Sequence, residues 1–271
     1  MEYSHLGVAD IDLWVARPNA LRDEALLERW RSWLAPDERA RLAAFCFDVH
    51  RHEYLVTRGL VRAALSSYRA TRPEAWQFRK GAHDRPFIEP DVGIRFNLSN
   101  APALVVCAVS ETHEVGVDVE PLSRAPEILD VAHTVFSTTE LAELRGSRSA
   151  APRLDREATL DRDEGLRPPS PREASPRIAT LRSAILDRAV SLWTTKEAYI
   201  KARSIGMSLP LREITMRFEG ERVRLELTPV IDDDASAWWI RTRDIDEHRV
   251  ALAVRAGADA TINVRVRELS L

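Results

Sequence analysis

Cysteine is nearly missing from this 271-residue chain, where Cys46 and Cys107 are the whole complement. Two thiols so far apart offer neither the spacing of a zinc site nor the density of a disulfide framework. Both lie in apolar sequence, so both are expected to be reduced core residues. Long apolar runs are also missing: no stretch approaches the ~18 residues that a membrane-spanning helix needs. The opening Met1-Glu2-Tyr3-Ser4-His5 has no basic segment leading into an apolar one, and a cytoplasmic protein without membrane contact is expected. Net charge is almost absent, since 39 basic and 42 acidic residues leave a formal −3. That balance gives no global field to attract nucleic acid, so any recognition of anions has to be local. A Gly-rich phosphate loop is lacking as well. What is left, 45% hydrophobic and 30% charged residues, is the composition of an ordinary folded enzyme, as one large domain or two closely packed halves.

The pattern along the chain mixes helix and strand. Ile11 to Val15 alternates as a strand closed by Arg17 and Pro18. Leu21 to Phe45 has helical spacing, broken at Ala35-Pro36-Asp37-Glu38, where proline followed by acids marks a second helix start. His50 to Tyr68 reads as an amphipathic helix with a basic edge. Phe96 to Leu98, Ala103 to Val109 and Val115 to Val119 read as short strands. The chain then enters helix at Ser137-Thr138-Thr139-Glu140, which has capping-box form. Between Arg145 and Arg177 lie five of the fifteen prolines, with serines and charges of both signs, the composition expected of a mobile insertion. Asp187 to Ala202 is the clearest helix, and from Glu213 onward strands follow with a turn at Glu219-Gly220. Helices and strands do not alternate strictly, which favours an α+β fold over a doubly wound sheet. A faint echo links Leu34-Ala35-Pro36-Asp37-Glu38 to Phe136-Ser137-Thr138-Thr139-Glu140, each ahead of a long helix.

Four groups of residues carry possible chemistry. Strand geometry puts Asp118 and Glu120 of Val115-Gly116-Val117-Asp118-Val119-Glu120 on one face, a pair of hard oxygen ligands suited to a divalent cation. The same pair is also what an acidic strand end offers. In Trp193-Thr194-Thr195-Lys196-Glu197-Ala198-Tyr199-Ile200-Lys201, Glu197 and Lys201 stand one helical turn apart, as a surface ion pair or as the lining of a cleft. Ser99 and Asn100, at the end of Phe96-Asn97-Leu98-Ser99-Asn100, are placed to donate to an anion or simply to make a turn. Arg51, Arg58, Arg62, Arg79 and Arg85 are scattered through the first part of the chain. Some of them, converging, have the forked geometry that grips phosphates; at least half are expected to be structural.

Taken together in chain order, Phe96-Asn97-Leu98-Ser99, Gly116-Val117-Asp118-Val119-Glu120 and Trp193-Thr194-Thr195-Lys196-Glu197-Ala198-Tyr199-Ile200-Lys201, followed by Gly206-Met207-Ser208-Leu209-Pro210, resemble the motifs of the 4'-phosphopantetheinyl transferases of the Sfp type. The likeness runs from about Leu34 to Leu211, apart from the segment after Arg145. The resemblance implies two similar α/β halves related by a pseudo-twofold, here residues 1–112 and 113–271, with coenzyme A and magnesium in the cleft between them. It implies Asp118, Glu120 and Glu197 as metal ligands, and Lys201 as the lysine near the reacting phosphate. It also places Ser99, Asn100, Arg58, Arg79 and Arg85 at the coenzyme A phosphates. Asn100 stands where the family usually has histidine, and it donates hydrogen bonds without carrying charge.

The activity implied is transfer of the phosphopantetheine arm of coenzyme A to a serine of an apo acyl or peptidyl carrier protein. Glu197 is the candidate acceptor of the serine proton, and the protein is expected to be a monomer that needs no partner copy. Another magnesium-dependent phosphotransfer or nucleotide-hydrolysing enzyme shares the carboxylates and arginines. A carrier-binding homologue without turnover is a further alternative, with Asn100 as its clue.

Overall fold

A computed structural model describes residues 10–81, 85–149, 176–205 and 209–269. The strands are β1 (Asp10–Ala16), β2 (Phe78–Lys80), β3 (Pro86–Ile88), β4 (Arg95–Ala101), β5 (Leu104–Ser110), β6 (Val115–Pro121), β7 (Ile214–Glu219), β8 (Arg222–Leu227), β9 (Trp238–Ile245), β10 (His248–Arg255) and β11 (Asn263–Glu268). The helices are α1 (Glu24–Trp33), α2 (Pro36–Ala44), α3 (Asp48–Ser66), α4 (Ala125–Val135), α5 (Thr138–Ser149) and α6 (Pro176–Arg203).

One sheet has the order β11-β1-β5-β4 and a second β6-β10-β9-β8-β7, while β2 and β3 pair on their own. Only β1 and β11 run parallel; the other neighbours are antiparallel. Alternation along the strands sends side chains to two different cores. On β5, Leu104, Val106 and Ala108 meet Val115, Val117 and Val119 of β6 and Val250, Leu252 and Val254 of β10, which makes a core between the two sheets. The odd-numbered β5 residues Val105, Cys107 and Val109 turn the other way, onto Trp30 of α1 and Leu60, Ala64 and Leu65 of α3. A third core packs α4, α5 and α6 on the opposite face of the second sheet. The molecule is therefore layered as helices, sheet, sheet, helices.

The two capping acids do more than start helices. The Ala35 N–H donates to Glu38 Oε2 at 3.0 Å, and the buried Arg62 of α3 also bonds that oxygen. The Ser137 N–H donates to Glu140 Oε2 at 2.7 Å, and Lys196 Nζ of α6 lies 2.6 Å from it. In each case the acid is fixed at a helix start and neutralised by a cation inside the long helix that follows. Lys196 also donates to the carbonyls of Val135 and Leu211, both at 2.9 Å, so all three ammonium protons have partners.

Several expectations are corrected. Cys46 is exposed just beyond α2; only Cys107 is a core thiol. Helix α4 precedes the one expected at Ser137, and α6 begins at Pro176 rather than Asp187. Both ends of the supposed 145–177 insertion are thus helical, through Ser149 and from Pro176; residues 150–175, with any mobility there, lie outside the described residues. The hairpin-like pair β2 and β3 had no periodic signal, because three-residue strands are too short to show one.

Gly116 decides how near α6 comes to β6. A Cβ there would lie 2.1 Å from the Ala198 carbonyl oxygen and 2.4 Å from the Ala202 nitrogen, distances no side chain tolerates. Gly116→Ala should therefore push α6 off the sheet and lower the urea midpoint by the equivalent of about 3 kcal/mol or more, the upper range of overpacking. Lys196→Ala should cost about 3–5 kcal/mol in the same measurement, because it leaves Glu140 as a buried, uncompensated charge. Wild-type midpoints in these variants would contradict both readings.

Candidate active site

The β6 backbone sends Val117 and Val119 into the core between the sheets and turns Asp118 and Glu120 toward α6. On α6, Trp193, Glu197 and Lys201 recur every four residues and so share one face. Strand β4 completes the group from the first sheet. Asn97 Oδ1 accepts from the Val117 N–H at 3.0 Å, and Ser99 Oγ accepts from the Val119 N–H at 3.3 Å. These two side chains stitch the edge of one sheet to the edge of the other.

At the centre, Lys201 Nζ donates to Asp118 Oδ1 at 2.6 Å and to Ser99 Oγ at 2.9 Å, and Ser99 Oγ in turn donates to Asp118 Oδ1 at 2.9 Å. The other Asp118 oxygen, Oδ2, is buried without a hydrogen-bond partner. Glu120 Oε1 accepts from the Trp193 indole N–H at 2.9 Å and from Arg124, whose guanidinium stacks 5.3 Å above the Trp193 ring. Ser99, Asn100, Asp118, Glu120, Arg124, Trp193, Glu197 and Lys201 all line one cavity of 730 Å³. A larger cavity of 1010 Å³, beside Arg203 and Asp232 to Asp234, holds none of these motif residues.

The electrostatics of the cavity are unfavourable to its own carboxylates. Glu197 is pushed up to about 7, first by burial and then by the Asp118 charge, with Lys201 opposing and Glu120 adding to the rise. Glu120 is also raised, mainly by burial, against the pull of Arg124. Clustered acids with elevated proton affinity are what a cation-binding or proton-accepting site requires.

Of the expected site residues, the structure brings together Ser99, Asn100, Asp118, Glu120, Glu197 and Lys201. The three arginines have other partners. Arg58 lies 3.6 Å from Glu38 and stacks on Tyr54. Arg79, largely exposed, pairs with Glu89. Arg85 caps the end of α6, donating to the carbonyls of Lys201 at 2.9 Å and Ala202 at 3.1 Å. Arg124 joins the site without a sequence signal, because four-residue spacing marks a pair only within a helix and Glu120 lies on a strand. The Trp193 indole N–H is a further site group, holding Glu120 from one turn before Glu197. Of the Gly206 to Pro210 motif, Gly206, Met207 and Ser208 lie outside the described residues.

Comparison with known proteins agrees with the motif reading. The chain is 26% identical to the 4'-phosphopantetheinyl transferase HetI of Nostoc sp. over 254 residues, 92% of this chain and 88% of the relative. It is 26% identical over 220 residues to the 4'-phosphopantetheinyl transferase Sfp of Bacillus subtilis, covering 81% of this chain and 80% of that protein. This chain resembles 4'-phosphopantetheinyl transferases. A phosphopantetheinyl transferase of Thraustochytrium sp. is 24% identical over 281 residues, 97% of this chain and 85% of that one. No family model matches the chain. The alignments to these transferases cover most of the chain, so the likeness is not confined to the motifs.

The raised Glu197 gives a test with a definite sign. Its folded value of about 7 lies above the ordinary 4.5, so the native chain holds this proton more tightly than the unfolded one. The stability it contributes is present below about pH 4.5 and is lost as the pH rises through about 7, by at most about 3 kcal/mol. Glu197→Gln should therefore stabilise the protein more at pH 8 than at pH 5 in paired thermal melts. An equal effect at both pH values would contradict a raised Glu197.

Proposed function

We propose that this chain is an enzyme that transfers the 4'-phosphopantetheine arm of coenzyme A to a serine of an apo acyl or peptidyl carrier protein and releases adenosine 3',5'-bisphosphate. The observation that carries the proposal is the convergence of motif residues from β4, β6 and α6 on one 730 Å³ cavity. The likeness to transferases of this activity runs in the same direction.

Magnesium fits this site by the chemistry of its donors. Asp118, Glu120 and Glu197 supply hard oxygens, the buried Asp118 Oδ2 has no partner, and the mutual repulsion of the acids needs a counter-charge. Among the described residues no three acids already stand as a metal-ligating group, and Lys201 and Arg124 now occupy two of them. Bound there, the ion would neutralise the pyrophosphate of coenzyme A. Glu197 accepts the proton of the carrier serine as its oxygen attacks the β-phosphorus and the P–O bond to the departing bisphosphate breaks. A carboxylate kept ionised beside a bound cation can accept that proton directly or through a water on the ion. Lys201 balances charge on the leaving phosphate, and Ser99 and Asn100 donate to phosphate oxygens.

Arg58, Arg79 and Arg85 belong to the same proposal as contacts to the nucleotide. They would have to exchange Glu38, Glu89 and the α6 carbonyls for phosphate, which costs least for the exposed Arg79. The pseudo-twofold relation of residues 1–112 and 113–271 is part of it as well. The matched pairs Glu38–Arg62 and Glu140–Lys196 support it, with β11 crossing back to pair with β1. The proposal includes a cytoplasmic, monomeric enzyme; among the described residues no helix is long and apolar enough to cross a membrane.

Incubation with coenzyme A, magnesium and an apo carrier, followed by intact-mass measurement, should show one phosphopantetheine increment on the carrier. Complex formation without the increment, or coenzyme A cleavage without a carrier, would overturn the proposal. Asp118→Ala and Glu197→Ala should each lose at least ~100-fold in transfer rate, the scale of lost transition-state charge stabilisation. Asn100→His should lower the KM for coenzyme A by adding a cationic donor; an unchanged or higher KM would remove Asn100 from the phosphate site.

A further inference from the structure

Arg124 is a charged residue of the cavity without an assigned task, and its position is energetically odd. It sits at the start of α4, where the helix dipole disfavours a cation by about 0.3–1 kcal/mol. What holds it there is Glu120, which it bonds directly, and the face of the Trp193 ring 5.3 Å away. Glu120 is largely buried, at 11% side-chain exposure, whereas Arg124 is 44% exposed. The acid is therefore fixed while the guanidinium has solvent to move into. The Trp193 N–H keeps Glu120 Oε1 in place when Arg124 leaves.

We propose that Arg124 is a positioning residue that acts as a resident counter-cation for Glu120 and gives up that oxygen to the divalent ion, freeing its guanidinium for a phosphate of the co-substrate. The inference rests on the transferase reading of the cavity and deepens it. Arginine and metal compete for one carboxylate, so metal binding alone is weakened by the cost of breaking the ion pair. Once displaced, the same guanidinium lines the cavity as a forked phosphate donor. Metal and nucleotide therefore bind with positive coupling through a single side chain. Lys201 differs in this respect: it bonds Asp118 Oδ1 and leaves Oδ2 without a partner, so it has no oxygen to give up.

The test uses magnesium chloride alone and then coenzyme A. In thermal melts at about pH 8, the magnesium concentration giving half the stabilisation should fall ~3- to 10-fold in Arg124→Ala, because its competitor is gone. Coenzyme A binding in the presence of magnesium, read by calorimetry, should weaken ~10-fold in the same variant, the scale of one lost charged hydrogen bond. Arg124→Lys should fall between wild type and Arg124→Ala in both measurements. A simple structural role would weaken both ligands together. A magnesium midpoint that is unchanged or raised, in a variant with a wild-type urea midpoint, overturns the inference. Should Arg124→Ala not fold, Arg124→Gln carries the same comparison. If the wild-type chain shows no magnesium-dependent stabilisation but still modifies a carrier, the inference fails and the transferase reading stands. If no carrier is modified, the transferase reading itself fails.

Discussion

The approach of α6 to β6, backbone against backbone over Gly116, is the contact on which the cavity depends, because Asp118 and Glu120 lie on the strand and Glu197 on the helix. With any side chain at that position the helix would stand away from the sheet. Lys201 would then lose Asp118 at 2.6 Å, and Trp193 would lose Glu120 at 2.9 Å. One missing Cβ thus sets the geometry of at least four polar side chains. The edge of the first sheet is tied to the same strand by Asn97 and Ser99, so the site draws on elements far apart in the chain.

Frame and site use charge in opposite ways. In the frame, Glu38 and Glu140 are buried with full sets of partners, each satisfied by its own helix start and by a cation from the following long helix. Such pairs are costly to break and therefore fix how the elements meet. In the cavity the acids outnumber the cations, Asp118 Oδ2 is left without a partner, and Glu197 is raised to about 7. A rigid surround holds charges that would otherwise move apart. That arrangement stores the repulsion until an ion or a proton relieves it.

The strong elements of the fold were legible because periodicity is a local property. Strand β1, the break between α1 and α2, and the capping box of α5 all follow from residues within a few positions of one another. Alternation also assigned Asp118 and Glu120 to one face. Helix α4 buries Ile128, Ala132 and Val135 at helical spacing but starts without a side-chain cap, so its local signal is weaker than that of the capping box behind it. Cys46 was misplaced because apolar neighbours in sequence do not guarantee cover in space: Phe47 beside it is exposed too.

The arginines show where local reading stops. Arg58, Arg62, Arg79 and Arg85 are alike in sequence, but one stacks on a tyrosine, one is a buried counter-ion, one is exposed, and one caps a helix end. Their partners come from other parts of the chain, and no spacing rule names those. Which residue types an element offers is written in the chain, and backbone periodicity sets the face on which each lies. That Asp118, Glu120 and Glu197 share one cavity, that Lys201 and Arg124 hold two of them, and that Asp118 keeps an oxygen free emerges from packing in three dimensions. Those outcomes depend on how elements distant in sequence pack, and a single close contact at Gly116 sets that packing.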